Sequence, residues 1–287
     1  VKLPAVHTPA FGRGKNCRNN WRTELIMTNS FTILGSSSGM PQADRACAGY
    51  LLKVDDRLSL IDCGGGVTSS FLRCGFDPLD VDRVFISHTH PDHCCELPLF
   101  IQMVYLAGRT RPLDIYLPDE FVEPFSAYLT AVYVIREKLP FDLNLHGYTD
   151  GFTFSDGFSL RAIGNRHLAG YAEYVGNLQL ANKMQCHCFR IEVPASSGKS
   201  TKCLFYSADV RDFDDLKPHL YNVDYAVLEL THVDLEQFFD FAPTASVGEF
   251  IISHLGDADE TATVEQMAAK AGVSNLMIAH DGLQLSL

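Results

Sequence analysis

The segment His88-Thr89-His90-Pro91-Asp92-His93 carries the strongest chemical signal in this chain of 287 residues. It follows an apolar run, Val84-Phe85-Ile86, that reads as a strand. Alternate side chains of an extended segment point the same way, so His88 and His90 can approach one ion together. Pro91 keeps the segment from continuing as a regular strand, and Asp92 and His93 follow on the turn. Three imidazoles and a carboxylate make a borderline-to-hard donor set, suited to Zn²⁺ and acceptable to Mn²⁺ or Fe. A polar surface turn is the competing reading. Such a concentration at a strand end seldom arises by chance in a chain holding 11 His.

One motif does not complete two coordination spheres. His167 in Asn-Arg-His-Leu, Asp209 in Ser-Ala-Asp-Val and His280 in Ala-His-Asp-Gly each follow a predicted strand. Ligands in layered α/β folds collect at such C-terminal strand ends. Singly each is an ordinary loop residue; in this order behind the six-residue motif they read as a site.

The elements that must position these residues alternate between strand and helix. Residues 31–34 form a predicted strand, and 48–54 with 57–61 a hairpin about Asp55-Asp56. Gly64-Gly65-Gly66 opens a helix through Val67, Phe71 and Leu72. Further helices are predicted over 97–106, 119–138, 212–220, within 244–253 and over 260–271, the last ending at Gly272. Strands are predicted at 83–86, 113–117, 141–145, 152–154, 158–163, 186–193, 202–206, 224–230 and 276–279. Hairpins mixed with αβ units, without a linker, predict an α/β protein with sheet layers covered by helices, as one domain over 27–287. Residues 1–26 read as a flexible leader or tag, with five basic residues against Glu24 alone and Met27 as a candidate start.

Composition narrows the function classes. Apolar residues make up 46% and no uncharged run approaches a bilayer span, which predicts a soluble protein without membrane contact. A net charge of −12 argues against a general nucleic-acid coater. Nine cysteines, an odd number with two adjacent, read as free thiols in a reducing cytoplasm. Cys186-His187-Cys188 has the look of a metal clip, but no second clip pairs with it, so strand packing is the better reading. Arg109-Thr-Arg-Pro112 is open between substrate phosphate and a second subunit.

Asp62-Cys-Gly-Gly, His88-x-His90-x-Asp92-His93, His167, Asp209 and His280 together resemble the ordered motifs of the metallo-β-lactamase fold superfamily, over residues 31 to about 282. The resemblance implies an αββα four-layer sandwich with two divalent metal ions at the sheet edges. One ion takes His88, His90 and His167; the other takes Asp92, His93 and His280; Asp209 bridges them, and Asp62 orients a ligand imidazole. Iron redox members place Glu where this chain has His90, so a hydrolytic, zinc-type centre is implied. Asp62-Cys63-Gly64-Gly65-Gly66, Leu113-Asp-Ile-Tyr-Leu-Pro118 and Val227-Leu-Glu-Leu-Thr231 are similar to ribonuclease Z and its phosphodiesterase relatives. That family pairs a Glu with a His on a later loop, here Glu229 with His254, the latter protonating the leaving oxygen while Asp92 orients the nucleophile.

Departures from the family bear on the substrate. Only 41 residues separate His167 from Asp209, which leaves little room for a basic tRNA-clamping arm. Ala208 stands where Gly is usual, and the loop after His254 is acidic. A small phosphodiester is therefore expected in preference to RNA. Hydrolysis of an ester, lactone or thioester on the same fold, and a metal-holding sensor with vestigial catalysis, are the alternatives. A homodimer is implied by the resemblance alone.

Overall fold

Short β-branched and aromatic runs build the first sheet from the start of the computed structural model, which describes residues 29–195 and 200–287. The leader read at 1–26 lies outside the described residues. Strands β1 (Ser30–Gly35), β2 (Gly49–Val54) and β3 (Arg57–Ile61) form an antiparallel meander. Asp55 closes its hairpin in the left-handed region, at φ 53°. The chain then changes to αβ units: α1 (Val67–Arg73), β4 (Val81–Phe85), α2 (Pro91–Cys94), α3 (Leu97–Leu106), β5 (Leu113–Pro118), α4 (Asp119–Ala131) and β6 (Leu143–Tyr148). Strands β3 to β6 are parallel.

The second half repeats this order. It runs β7 (Thr153–Ser155), β8 (Ser159–Gly164), α5 (Ala172–Asn177), β9 (His187–Pro194), β10 (Thr201–Tyr206), α6 (Phe213–Leu216) and β11 (Tyr221–Glu229). Then come α7 (Leu235–Phe241), β12 (Ser246–Ser253), α8 (Ala258–Ala271), β13 (Leu276–Ile278) and β14 (Gln284–Ser286). The strands form two sheets, ordered β14-β1-β2-β3-β4-β5-β6 and β13-β12-β11-β10-β9-β8-β7. The last strand leaves the second sheet and pairs antiparallel with β1, placing Leu285 opposite Phe31.

Three apolar clusters separate four layers. Between the sheets lie Phe31, Tyr50, Phe85, Phe189 and Tyr206, with the Tyr50 and Tyr206 rings 4.6 Å apart. Phe71, Phe100 and Phe125 pack α1, α3 and α4 on the first sheet, and Phe213, Phe238 and Val264 pack α6, α7 and α8 on the second. This is the αββα sandwich.

The structure differs from the sequence reading where local pattern and sheet context disagree. Residues 244–253 hold a central strand, β12, instead of a helix. Val247, Phe250 and Ile251 have helix-like spacing, but parallel pairing with both β11 and β13 favours the β-branched run Ile251-Ile252 as strand. The seven-residue α7 was missed. Too short to be stable alone, it is held by burial of Phe238 and Phe239, worth about 1.5–3 kcal/mol each. The helix predicted to Lys138 stops at Ala131, where Val132-Tyr133-Val134-Ile135 disfavours helix and Tyr133 turns left-handed at φ 63°. The helix predicted over 212–220 is a single α turn continued by a 3₁₀ turn at Lys217–His219, whose Pro218 lacks the N–H to extend it.

Two loops are held by specific contacts. The buried Arg109 guanidinium donates to the carbonyls of Val81, Arg111 and Pro112, so it pins its own loop. Gly64 is required by a close approach: a Cβ there would sit 1.8 Å from the Asp92 carbonyl oxygen. Because that obstacle is backbone, Gly64→Ala is expected to cost about 1–3 kcal/mol and to displace Asp92. A lowered urea midpoint together with weakened metal binding would show it.

Candidate metal centre

Three strands of the functional half-sites end in residues with left-handed backbones. Asp62 follows β3 at φ 56°, Ala208 follows β10 at φ 48°, and His254 follows β12 at φ 60°. Each such non-glycine residue costs of order 1–3 kcal/mol, strain of the kind that collects at functional sites. The turns bring the side chains after β3, β4, β8, β10 and β12 into one cleft.

Two groups of donors form there. His88, His90, His167 and Asp209 make one; Asp92, His93, Asp209 and His254 make the other, with the donor atoms of each within 4.8 Å of one another. Asp209 belongs to both. Its Oδ2 lies 3.9 Å from His88 Nε2 and 3.6 Å from His167 Nε2, while its Oδ1 lies 3.1 Å from His93 Nε2 and 3.4 Å from His254 Nε2. His254 Nε2 also stands 3.1 Å from Asp92 Oδ2.

The tautomers follow from a proton count. The Ser87 hydroxyl gives its single proton to Asp62 Oδ2 at 2.8 Å, so His88 Nδ1–H must donate to Ser87 Oγ at 3.1 Å. His93 Nδ1–H donates to Asp62 Oδ2 at 2.8 Å, and His167 Nδ1–H to the Val210 carbonyl at 3.2 Å. In all three rings Nε2 is left to face the cleft. Asp62 also accepts from the Ser87 backbone N–H and the Tyr206 hydroxyl, so one fully buried carboxylate orients His93 directly and His88 through Ser87. Asp62→Asn is expected to weaken metal binding by about 10–100-fold, readable by competition with a chromogenic chelator.

Charge completes the fit. Burial holds His88, His90 and His167 below the ordinary histidine range, so these rings are neutral and have lone pairs to give. In the second group burial acts the same way but is outweighed: Asp209 and Asp62 raise His93 well above its usual value, and Asp209 with Asp92 raises His254. Asp209 itself is kept ionised against its burial by His93 and His254. These residues would hold a divalent cation, which would supply the positive charge that those protons supply here. His88 Nε2, His93 Nε2 and Asp209 Oδ1 are buried without a hydrogen bond of good geometry, which is what residues shaped for a cation leave behind. The donor set fits divalent metal ions.

His280 lies outside both groups. It is exposed, with Nδ1 turned to the Asp281 carbonyl, because β13 is the edge strand beyond β12. In the second group His254 stands where the sequence reading expected His280, and it makes no pair with Glu229. Glu229 holds a different histidine: its Oε1 accepts from His232 Nδ1 at 2.9 Å and from the Val210 N–H at 3.0 Å. The His232 ring centroid is 5.0 Å from that of His167. Its hydrogen bond to Glu229 raises the His232 pKa to about 9. His232 was not singled out from the sequence, although Glu229-x-x-His232 after a strand was there to be read.

Other candidates separate clearly. Cys186, His187 and Cys188 are buried at the start of β9 and join neither metal group. Phe189 is core, whereas Tyr171 and Tyr174 are exposed, and the Tyr171 ring lies 5.9 Å from that of His90. Among the described residues no helix is long and apolar enough to cross a membrane.

Comparison with known proteins bears on the family and the fold. The family model described as Anti-Pycsar protein Apyc1 matches residues 29–229. A ribonuclease Z of Methanothermobacter thermautotrophicus is 35% identical over 120 residues, which is 42% of this chain and 38% of that protein. The chain spans about a third of the length of the curated relatives it first matches. Among solved structures, the metallo-beta-lactamase fold protein YhfI from Bacillus subtilis superposes with a TM-score of 0.70 at 20% identity, covering 90% of this chain and 99% of that one. The short form of human tRNase Z superposes with a TM-score of 0.65 at 16% identity, covering 90% and 98%. These two likenesses show the fold, and the family match shows the lineage. The chain has the metallo-β-lactamase fold and belongs to the Anti-Pycsar protein Apyc1 family.

Proposed function

We propose that the protein is a metal-dependent hydrolase of small phosphodiesters whose two donor groups, with Asp209 common to both, would hold divalent ions, Zn²⁺ by donor chemistry. The observation that carries this reading is the pairing of Glu229 with His232 beside a carboxylate common to two donor groups. His88, His90 and His167 would hold one ion; Asp92, His93 and His254 the other. Bound there, divalent ions supply Lewis acidity and charge neutralisation at the phosphoryl group.

The residues of the chain do the rest. Asp92 and Asp209 offer acceptors on the same side of the cleft and orient the attacking water. His232 donates its Nε2 proton to the departing ester oxygen while Glu229 holds Nδ1–H. An alkoxide leaving group needs that proton; a lactone needs it far less, which favours phosphodiesters over carboxylic esters. The acidic chain and the absence of room for a basic arm favour a substrate smaller than tRNA.

The test is elemental analysis together with turnover of bis-p-nitrophenyl phosphate, a cyclic mononucleotide, a dinucleotide, an oligoribonucleotide, a p-nitrophenyl ester and a lactone. Two metal equivalents per chain with turnover of the small phosphodiesters is the expected result. Turnover of ester or lactone alone would overturn the phosphodiesterase reading, and no metal after reconstitution would overturn the enzyme.

A further inference from the structure

The loop from β1 to β2 touches both turns that supply the outer donors of the second group. A Cβ on Gly39 would sit 3.3 Å from Asp92 Oδ2, the same oxygen that lies 3.1 Å from His254 Nε2. Either side of that contact, the loop is fastened to the turn after β12. Ser37 forms a parallel bridge with Leu255, the Ser38 N–H donates to the Leu255 carbonyl at 3.3 Å, and the Arg45 guanidinium donates to the Gly256 carbonyl. Asp92 follows a strand of the first sheet and His254 a strand of the second, so the loop straps the two halves of this donor group together.

One carboxylate fastens both feet of the strap. Asp281 Oδ1 accepts the Ser36 N–H and hydroxyl, each at 3.0 Å, and its Oδ2 accepts the Ala46 N–H at 2.8 Å. Asp281 comes from the connection between β13 and β14, where the chain passes from the second sheet to the first. Gly39, Met40 and Pro41 are exposed, so the place of the tip depends on how its feet are held. Gly39 has no left-handed backbone, so conformation does not require glycine there; the neighbouring carboxylate does.

Resting on the reading of Asp92 and His254 as donors to one ion, we propose that Asp281 is a positioning residue of the metal centre. By clamping both feet of the β1–β2 loop it holds Gly39 against Asp92 and so fixes where that carboxylate stands relative to His254. Metal sites tolerate donor displacements of only about 0.2 Å, so a slack loop is felt at the ion. Asp281→Asn leaves one acceptor oxygen where there were two, enough for one foot and not for both. The first donor group takes its residues from the turns after β4, β8 and β10 and serves as the internal reference.

The test titrates the metal-free protein with Zn²⁺ against a chromogenic chelator, the step lost in His254→Ala being that of the second group. Asp281→Asn is expected to weaken this step by at least about tenfold and the other by less than about twofold. Gly39→Ala presses a methyl on Asp92 while the feet stay clamped, and should weaken the same step. Once a foot is released the loop yields to the methyl, so the double variant should bind within about twofold of Asp281→Asn alone. Equal weakening of both steps, or factors that multiply in the double variant, overturns the positioning role. Amide hydrogen exchange in the metal-free protein reads the clamp itself. Asp281→Asn should free one of the Ser36 and Ala46 N–H groups, and full protection of both overturns the clamp. If Asp281→Asn does not fold, Gly39→Ala still decides, since an undisturbed second step refutes the contact. Turnover of bis-p-nitrophenyl phosphate is read separately. Its absence overturns the phosphodiesterase reading while leaving the metal steps measurable.

Discussion

His254→Ala is expected to reduce bound metal to about one ion per chain and turnover by at least about a hundredfold, with His280→Ala leaving both unchanged. His254 sits 3.1 Å from Asp92 and 3.4 Å from Asp209, whereas His280 is exposed beyond the edge of the sheet. Removing His254 leaves Asp92, His93 and Asp209 with one neutral or cationic partner fewer, so two carboxylates repel across a buried gap. Elemental analysis of the purified variants and their kcat on bis-p-nitrophenyl phosphate decide the matter. A loss of metal in His280→Ala comparable to that in His254→Ala would refute the placement of the second group.

The second large effect concerns proton donation. His232→Ala is expected to lower kcat by about 10²–10⁴-fold on a phosphodiester with an alkyl leaving group, and far less on one releasing p-nitrophenolate. The proton matters in proportion to the basicity of the leaving oxygen, so this contrast separates an acid from a structural residue. The pH dependence has a definite sign. With its pKa raised to about 9 by Glu229, His232 is protonated and competent below that pH, and turnover of the alkyl ester declines as pH rises through it. Glu229→Gln removes the cause of the shift, so the alkaline limb should move down toward the ordinary histidine range near 6.5. An unmoved limb would assign the proton to another group.

The centre was legible in the sequence to the extent that its ligands are local. His88 to His93 lie on one turn, and their spacing alone states that they share a cleft. His167 and Asp209 required only that strands be recognised before them. The presence of His254 in the second donor group, where His280 was expected, depends on sheet order, which no local pattern encodes. Reading 244–253 as helix removed the strand that delivers His254, and left β13 with His280 as the apparent neighbour of the site. The family resemblance pairs Glu229 with a histidine on a later loop, whereas in the structure its partner is His232. The i, i+3 relation to His232 only gains meaning once the chain is seen to turn back after β11, with the Glu229 carboxylate receiving the His232 backbone N–H at 3.1 Å.

The pairing of β14 with β1 has a consequence for synthesis of the chain. Phe31 is among the first residues of the first sheet to leave the ribosome, and its partner Leu285 is among the last described. Until then β1 presents a bare, apolar hydrogen-bonding edge, the surface on which nascent chains associate with one another. Closing that edge carries a long loop-closure penalty, so the sheet cannot be sealed early by local contacts. Asp281 lessens the delay once it emerges, because its carboxylate takes the Ser36 N–H at 3.0 Å and the Ala46 N–H at 2.8 Å and draws the returning chain onto the opening β1–β2 loop. Yield of folded protein should therefore depend on chaperone supply during translation more than the stability of the finished sandwich would suggest.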